Sequence, residues 1–230
     1  MQLPVSARLD AILSLLSPCH ELADVCTDHG LVPVVAVQRG IAQHAIAADL
    51  RAAPLEVARQ NISRADVSDR VTLLQGDGLA PLTTHSVDAL VIAGVSGELI
   101  VRLLAEAPHV TSRLTQLVLQ ANQDVDVVRA WALAQGFHLH AERMVEERGY
   151  FFPICAYRPG EGADAAYAQP GWSERELCMV GPLLLTQRDP TALRAYEQQR
   201  TRLGKLVAQG VATHASELAV WSRACAELSP

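Results

Sequence analysis

At 230 residues, half of them apolar and 19% charged, the chain has room for one full domain with an appendage and a sizeable core, which excludes a disordered protein. A net charge of −6 argues against a general polyanion binder. The excess acid is confined to one part: residues 1–171 carry 12 basic and 19 acidic side chains, residues 172–230 carry 7 and 6, and Lys205 is the only lysine.

Residues 1–8 lack the charged start and apolar run of a signal peptide, and no uncharged apolar stretch reaches the roughly 18 residues a membrane helix needs. Residues 21–25 form a short apolar run ending at Asp24 and a turn. Residues 30–39 then read as a helix, and 45–48 as a strand ending at Asp49. Residues 54–64 are helical, with Leu55, Val57, Ala58 and Ile62 on one face. Residues 71–74 are β-rich and stop at Gly76-Asp77-Gly78. Residues 87–93 have a buried-strand pattern closed by Gly94, 98–105 are helical, 117–120 form a strand, and 125–135 form a helix ended by Gly136.

Strands alternating with helices at this spacing predict a Rossmann-like α/β fold, a mostly parallel sheet covered on both faces. The runs 137–145 and 151–157 leave no space for a helix between them, so they predict an antiparallel hairpin at the sheet's end. Residues 158–172, rich in Gly, Pro and Ala, read as a linker. Asp189-Pro190 then starts a helix that runs to about 209, and a second spans 213–228. The expected organisation is an α/β domain over 1–158, and a linker plus small helical hairpin domain over 159–230.

In an open α/β sheet, ligands bind beyond the carboxyl ends of the strands. That edge carries Asp24 through Gly30, Asp49, Gly76-Asp77-Gly78, Gly94 through Gly97, and Gln120-Ala121-Asn122. Asp49 is placed to accept ribose hydroxyls, or equally to cap the next helix. Asp77 fits an adenine amino group, or simply a turn. Neither G-x-G-x-x-G nor G-x-x-x-x-G-K-[ST] occurs, which disfavours a dinucleotide and excludes an ordinary nucleotide triphosphatase. Carboxylates without a phosphate cradle suit adenosine lacking phosphates, of which S-adenosylmethionine is the commonest cofactor. Asp28-His29 lacks a partner cluster for metal, and Ser96 fits an N-cap. The five cysteines are scattered without Cys-x-x-Cys spacing, so free thiols, no metal and a cytoplasmic location are expected.

Several motifs, in order, resemble those of the bacterial tRNA (adenine-22-N1)-methyltransferase (TrmK) family. They are Ser6-Ala7-Arg8-Leu9, Asp24-Val25-Cys26-Thr27-Asp28-His29, Gly76-Asp77-Gly78-Leu79, Ile92-Ala93-Gly94-Val95-Ser96-Gly97, Leu119-Gln120-Ala121-Asn122 and Val180-Gly181-Pro182. The resemblance implies a class I methyltransferase that binds S-adenosyl-L-methionine, releases S-adenosyl-L-homocysteine and methylates N1 of a tRNA adenine, as a monomer or weak dimer.

In that reading Asp28 holds the adenine amino group and His29 orients Asp28 or contacts the substrate. Asp24, Cys26, Asp49, Leu50, Asp77, Gly78, Ala93 and Gly94 hold the cofactor. Arg8, Ser96, Gly97, Asn122, Arg194, Arg200, Arg202 and Lys205 meet the RNA. The sequence departs from the family pattern at the active edge: Cys26 replaces a glycine, Val95-Ser96 a Met-Gly, and Ala121 a proline, while 149–153 lack a Gly-Lys-Phe-Tyr-Glu run. These departures define the alternative, a member that keeps the scaffold and binds RNA or a protein partner without methyl transfer.

Overall fold

The structure, a computed structural model, describes Leu3 and residues 5–229; Met1, Gln2 and Pro4, which belong to the segment expected to lack a signal peptide, lie outside it, as does Pro230. Ser6 caps α1 (Ala7–Ser14) by accepting the Leu9 amide at 3.2 Å, and Leu9, Ile12 and Leu13 turn inward. This helix escapes the sequence reading because its two turns mix polar and apolar positions. The chain then alternates β1 (Cys19–Val25), α2 (Leu31–Gln38), β2 (Ala42–Asp49), α3 (Ala52–Ala65), β3 (Val71–Gln75), β4 (Ala89–Val95), α4 (Gly97–Ala105) and the single turn α5 (Pro108–Thr111). It continues with β5 (Gln116–Ala121), α6 (Val125–Ala134), β6 (Phe137–Glu147) and β7 (Tyr150–Pro159).

The seven strands lie in the order β3-β2-β1-β4-β5-β7-β6, with only β7 and β6 antiparallel to their neighbours. The expected terminal hairpin is therefore present. One layer of core packs Val25, Ile46, Leu90 and Ile92 under α4 and α6, and the other packs Leu22, Ala45, Val91 and Val118 under α1 to α3. Both sheet faces are covered, which is why β4 and the centre of β5 read as apolar runs. The strand expected from residue 87 begins at Ala89 because Asp88 is spent on the first residues of β1: its Oδ2 accepts the His20 and Glu21 amides at 2.8 and 2.9 Å.

Residues 158–172 are docked rather than a free linker. Asp164 is buried, its Oδ2 accepting the Leu139 amide at 2.7 Å where β6 bulges, and Gln169 donates to the Ala166 and Pro182 carbonyls. Beyond them lie α7 (Glu174–Val180), α8 (Pro182–Thr186), α9 (Pro190–Ala208) and α10 (Ala215–Leu228). Ser173 and Glu176 form a reciprocal capping box, and Asp189 caps α9 as expected. Tyr196 donates its hydroxyl to the Val180 carbonyl, and Leu184, Tyr196 and Cys225 share a small core.

A buried ion pair ties these helices to the sheet. Arg129 on α6 pairs with Glu142 on β6 at 2.7 Å and donates to the Cys178 carbonyl at 2.7 Å. The second Glu142 oxygen accepts the Leu183 and Leu184 amides at 3.2 and 3.3 Å. Gly181, at φ +95°, must be glycine here: a β-carbon would lie 2.7 Å from Arg129 Nη2 and 2.8 Å from Glu142 Oε2.

Candidate active site

The carboxyl ends of β1 to β4 and the start of α1 enclose a cavity of about 1100 Å³. Its floor is the loop between β1 and α2, where Cys26, Asp28 and Gly30 all adopt positive φ, at +62°, +52° and +67°. Asp24 ends 3% exposed and accepts the Thr27 hydroxyl at 2.5 Å. Burial pushes its carboxyl up to about 7; the Thr27 hydrogen bond opposes the rise and the Asp49 charge adds to it. Asp49, equally buried, accepts the Arg51 amide at 3.0 Å and the Asp28 amide at 3.3 Å. It does not cap the following helix, whose N-cap is Arg51, so the capping alternative falls. Asp77 is exposed to the cavity, and Leu50 is 59% exposed beside Asp49, an apolar face next to a carboxylate.

On the same loop, the Asp28 carboxylate accepts from His29 Nδ1 at 2.6 Å, both side chains remaining open to solvent. The His29 carbonyl accepts from Asn61 Nδ2 at 2.9 Å, which ties the loop to α3. Cys26 is half-buried, lines the cavity and packs its side chain against the core. Burial, reinforced by Asp49 and Asp24, pushes its thiol up to about 11. It therefore stays a neutral, apolar element of the wall.

The cavity's fourth side is built by α1 and the ends of β4 and β5. Arg8 reaches in from α1, its guanidinium 4.7 Å from the Phe152 ring centre and 3.4 Å from Gln120 Oε1. The β4–β5 ladder bulges between Ala93 and Val95, so Gly94, at φ +82°, leaves the ladder. Asn122 Nδ2 donates to the freed Gly94 carbonyl at 2.7 Å.

Of the residues expected to hold cofactor, Asp24, Cys26, Asp49, Leu50, Asp77, Gly78, Ala93 and Gly94 all line this cavity, as do Asp28, His29, Arg8 and Asn122. Ser96 and Gly97 do not. The Ser96 hydroxyl is spent on the Leu99 amide at 3.2 Å, capping α4. Gly97 is buried behind the loop, where a β-carbon would lie 2.0 Å from the Asp124 carbonyl. Arg194, Arg200, Arg202 and Lys205 lie on α9, outside the cavity; Arg194 is held by Glu146 at 2.7 Å, while Arg202 and Lys205 border a groove on α9. The sequence reading missed Arg51, Arg102 and Ile12, which enter the cavity by tertiary packing and carry no local signal.

The donor set tests the fit to S-adenosylmethionine. Asp24, Asp28, Asp49 and Asp77 converge on one cavity with no glycine-rich phosphate loop, which suits a cationic, phosphate-free adenosine and opposes a pyrophosphate. Among the described residues no three His, Cys, Asp or Glu side chains are grouped to hold a metal ion, and no helix is long and apolar enough to cross a membrane.

The chain's similarities agree with this geometry. Residues 5–155 match the methyltransferase-domain family model. Over 198 residues the chain is 28% identical to the tRNA (adenine(22)-N(1))-methyltransferase of Bacillus subtilis, covering 86% of this chain and 82% of that one. The structure of that species' m1A22 tRNA methyltransferase TrmK superposes with a TM-score of 0.83 at 25% identity, covering 99% of this chain and 98% of that one. The Streptococcus pneumoniae protein Sp1610, solved with S-adenosyl-L-methionine, superposes with a TM-score of 0.86 at 26% identity, covering 96% of this chain and all of that one.

Proposed function

Because the chain belongs to the methyltransferase-domain family, as a TrmK-like member, we propose that it transfers a methyl group from S-adenosylmethionine to N1 of a tRNA adenine, at position 22 as in the Bacillus relative. The observation that carries this reading is one cavity joining the buried acids Asp24 and Asp49 to the open Asp28–His29 pair. S-adenosylmethionine, when bound, supplies the electrophilic methyl on its sulfonium.

Asp49 would accept the ribose hydroxyls, Asp77 the adenine edge, and Leu50 would cover the ring. Asp24 would face the cofactor's positive charge. Adenine N1 already carries a lone pair, so the site needs positioning rather than a strong base. Asp28 would accept from the substrate's amino group and offset the charge that develops on the ring, with His29 fixing its direction. Extruding the base from a folded tRNA costs a few kcal/mol, offset by contacts to Arg8 and, through phosphates, to the basic side chains of α9. A tRNA substrate and free cysteines support a cytoplasmic location.

The test is Asp28→Ala: methyl transfer to unmodified tRNA should fall by at least about a hundredfold, while S-adenosylhomocysteine affinity stays within about threefold by calorimetry. Wild-type turnover in that variant contradicts the assignment.

A further inference from the structure

The wall between Arg8 and Gly94 contains two side-chain amides whose orientations are set by what stands at each end. Asn122 Nδ2 lies 2.7 Å from the Gly94 carbonyl, which can only accept. Asn122 Oδ1 therefore faces Gln120, and the Gln120 atom meeting it at 3.1 Å must be the donor Nε2. That leaves Gln120 Oε1 toward Arg8 Nη1, 3.4 Å away, and a guanidinium can only donate. A donor-only group at one end and an acceptor-only group at the other permit a single arrangement: Arg8 to Gln120 to Asn122 to Gly94. Each bond polarises the next.

Gln120 has 0% exposure and touches nothing in the cavity itself. Asn122 does line the cavity, and the relay leaves its second amide hydrogen uncommitted. The main chain reinforces the same junction, with the Asn122 amide donating to the Val95 carbonyl at 2.8 Å and the Gly97 amide to Gln123 at 2.9 Å.

Resting on the methyl-transfer reading above, we propose that Gln120 is a positioning residue that locks Asn122 with its N–H toward the acceptor base. The base site then offers donors, Arg8 and Asn122, on one wall and the Asp28 carboxylate on another. An adenine satisfies both through its exocyclic amino group and a ring nitrogen other than N1, whose lone pair stays free to attack the methyl. A 6-oxo purine sets an acceptor against the carboxylate and is refused.

Gln120→Glu tests this, because an ionised glutamate keeps the shape and the Arg8 contact but cannot donate to Asn122. A protonated one regains the donor. The charged groups along the relay are Arg8 on α1 and, through the Arg8 amide, Glu147 on β6. At about pH 8 the variant's kcat on unmodified tRNA should fall about tenfold, the worth of one hydrogen bond, with KM and S-adenosylhomocysteine affinity within about threefold. A ratio near one at about pH 8 overturns the proposal.

Asn122→Asp, at an exposed position, gives a second route: the same fall in kcat is expected, and unchanged kcat overturns the relay. A readout independent of turnover separates failure of the relay from failure of the methyl-transfer reading. In the free 15N-labelled protein, the Asn122 side-chain amide signals should shift in Gln120→Glu at about pH 8. If they are unmoved, no relay exists, whatever the enzyme transfers.

Discussion

Asp24 is the group whose replacement separates stability from function most cleanly. Its carboxyl rises from 3.8 to about 7 on folding, chiefly through burial. Between those values the folded protein holds a proton that the unfolded chain has released. The group's contribution to stability is thus present below about pH 4 and lost as pH climbs through 7. At 1.36 kcal/mol per unit, the shift costs the folded state about 4 kcal/mol once the carboxylate is ionised.

Asp24→Asn removes that penalty while keeping an oxygen to accept the Thr27 hydroxyl. An unpaired amide would subtract about 1–3 kcal/mol, but equally at every pH. The stability difference, variant minus wild type, should therefore shift toward the variant by about 3 kcal/mol between about pH 4 and pH 8.5. In a chain of this size that is roughly 6–12 °C in the thermal midpoint, read by circular dichroism across that range.

Cofactor binding should move the other way. A cation bound beside Asp24 draws it to its ionised form, so wild-type affinity for S-adenosylmethionine should climb with pH toward 7, by at most about tenfold per unit. The variant should bind more weakly and show no such slope. A stability difference that is flat with pH would refute the reasoning, since it would mean that Asp24 does not titrate as a buried acid.

Two further outcomes follow from the geometry. Cys26→Gly relieves a left-handed residue that costs roughly 1–2 kcal/mol, less about 0.5–1 kcal/mol of added chain entropy. Stability should change by under about 1 kcal/mol, while S-adenosylhomocysteine affinity, read by calorimetry, should rise about threefold as the sulfur leaves the wall; unchanged affinity would mean the thiol does not crowd the site. Arg129→Met strands the buried Glu142 carboxylate and should cost about 3–5 kcal/mol in urea unfolding. Adding Glu142→Gln should return part of that loss, and strict additivity of the two changes would argue against a coupled pair.

The sheet was legible because its strands are buried on both faces and so appear as short apolar runs with turn residues between them. The acids at the strand ends were legible for the same reason, since the end of each run marks the edge where ligands bind. What escaped was set by packing between distant segments. Arg129 reads as one more charge on α6, yet it is fully buried because Glu142 and two carbonyls receive it. Asp164, in a stretch that looks like linker, anchors that stretch to β6. Gly97 looked like a residue that meets the RNA, but the approach of the Asp124 carbonyl explains why glycine stands there.

The most direct test of the central claim is to incubate the purified protein with S-adenosylmethionine and an unmodified tRNA bearing adenine at position 22, then digest the RNA and locate the methyl group by mass spectrometry. The account predicts N1-methyladenosine at that position, dependent on Asp28. S-adenosylmethionine binding without any methylated adenosine would contradict it and favour a scaffold that has kept its cofactor and lost its reaction.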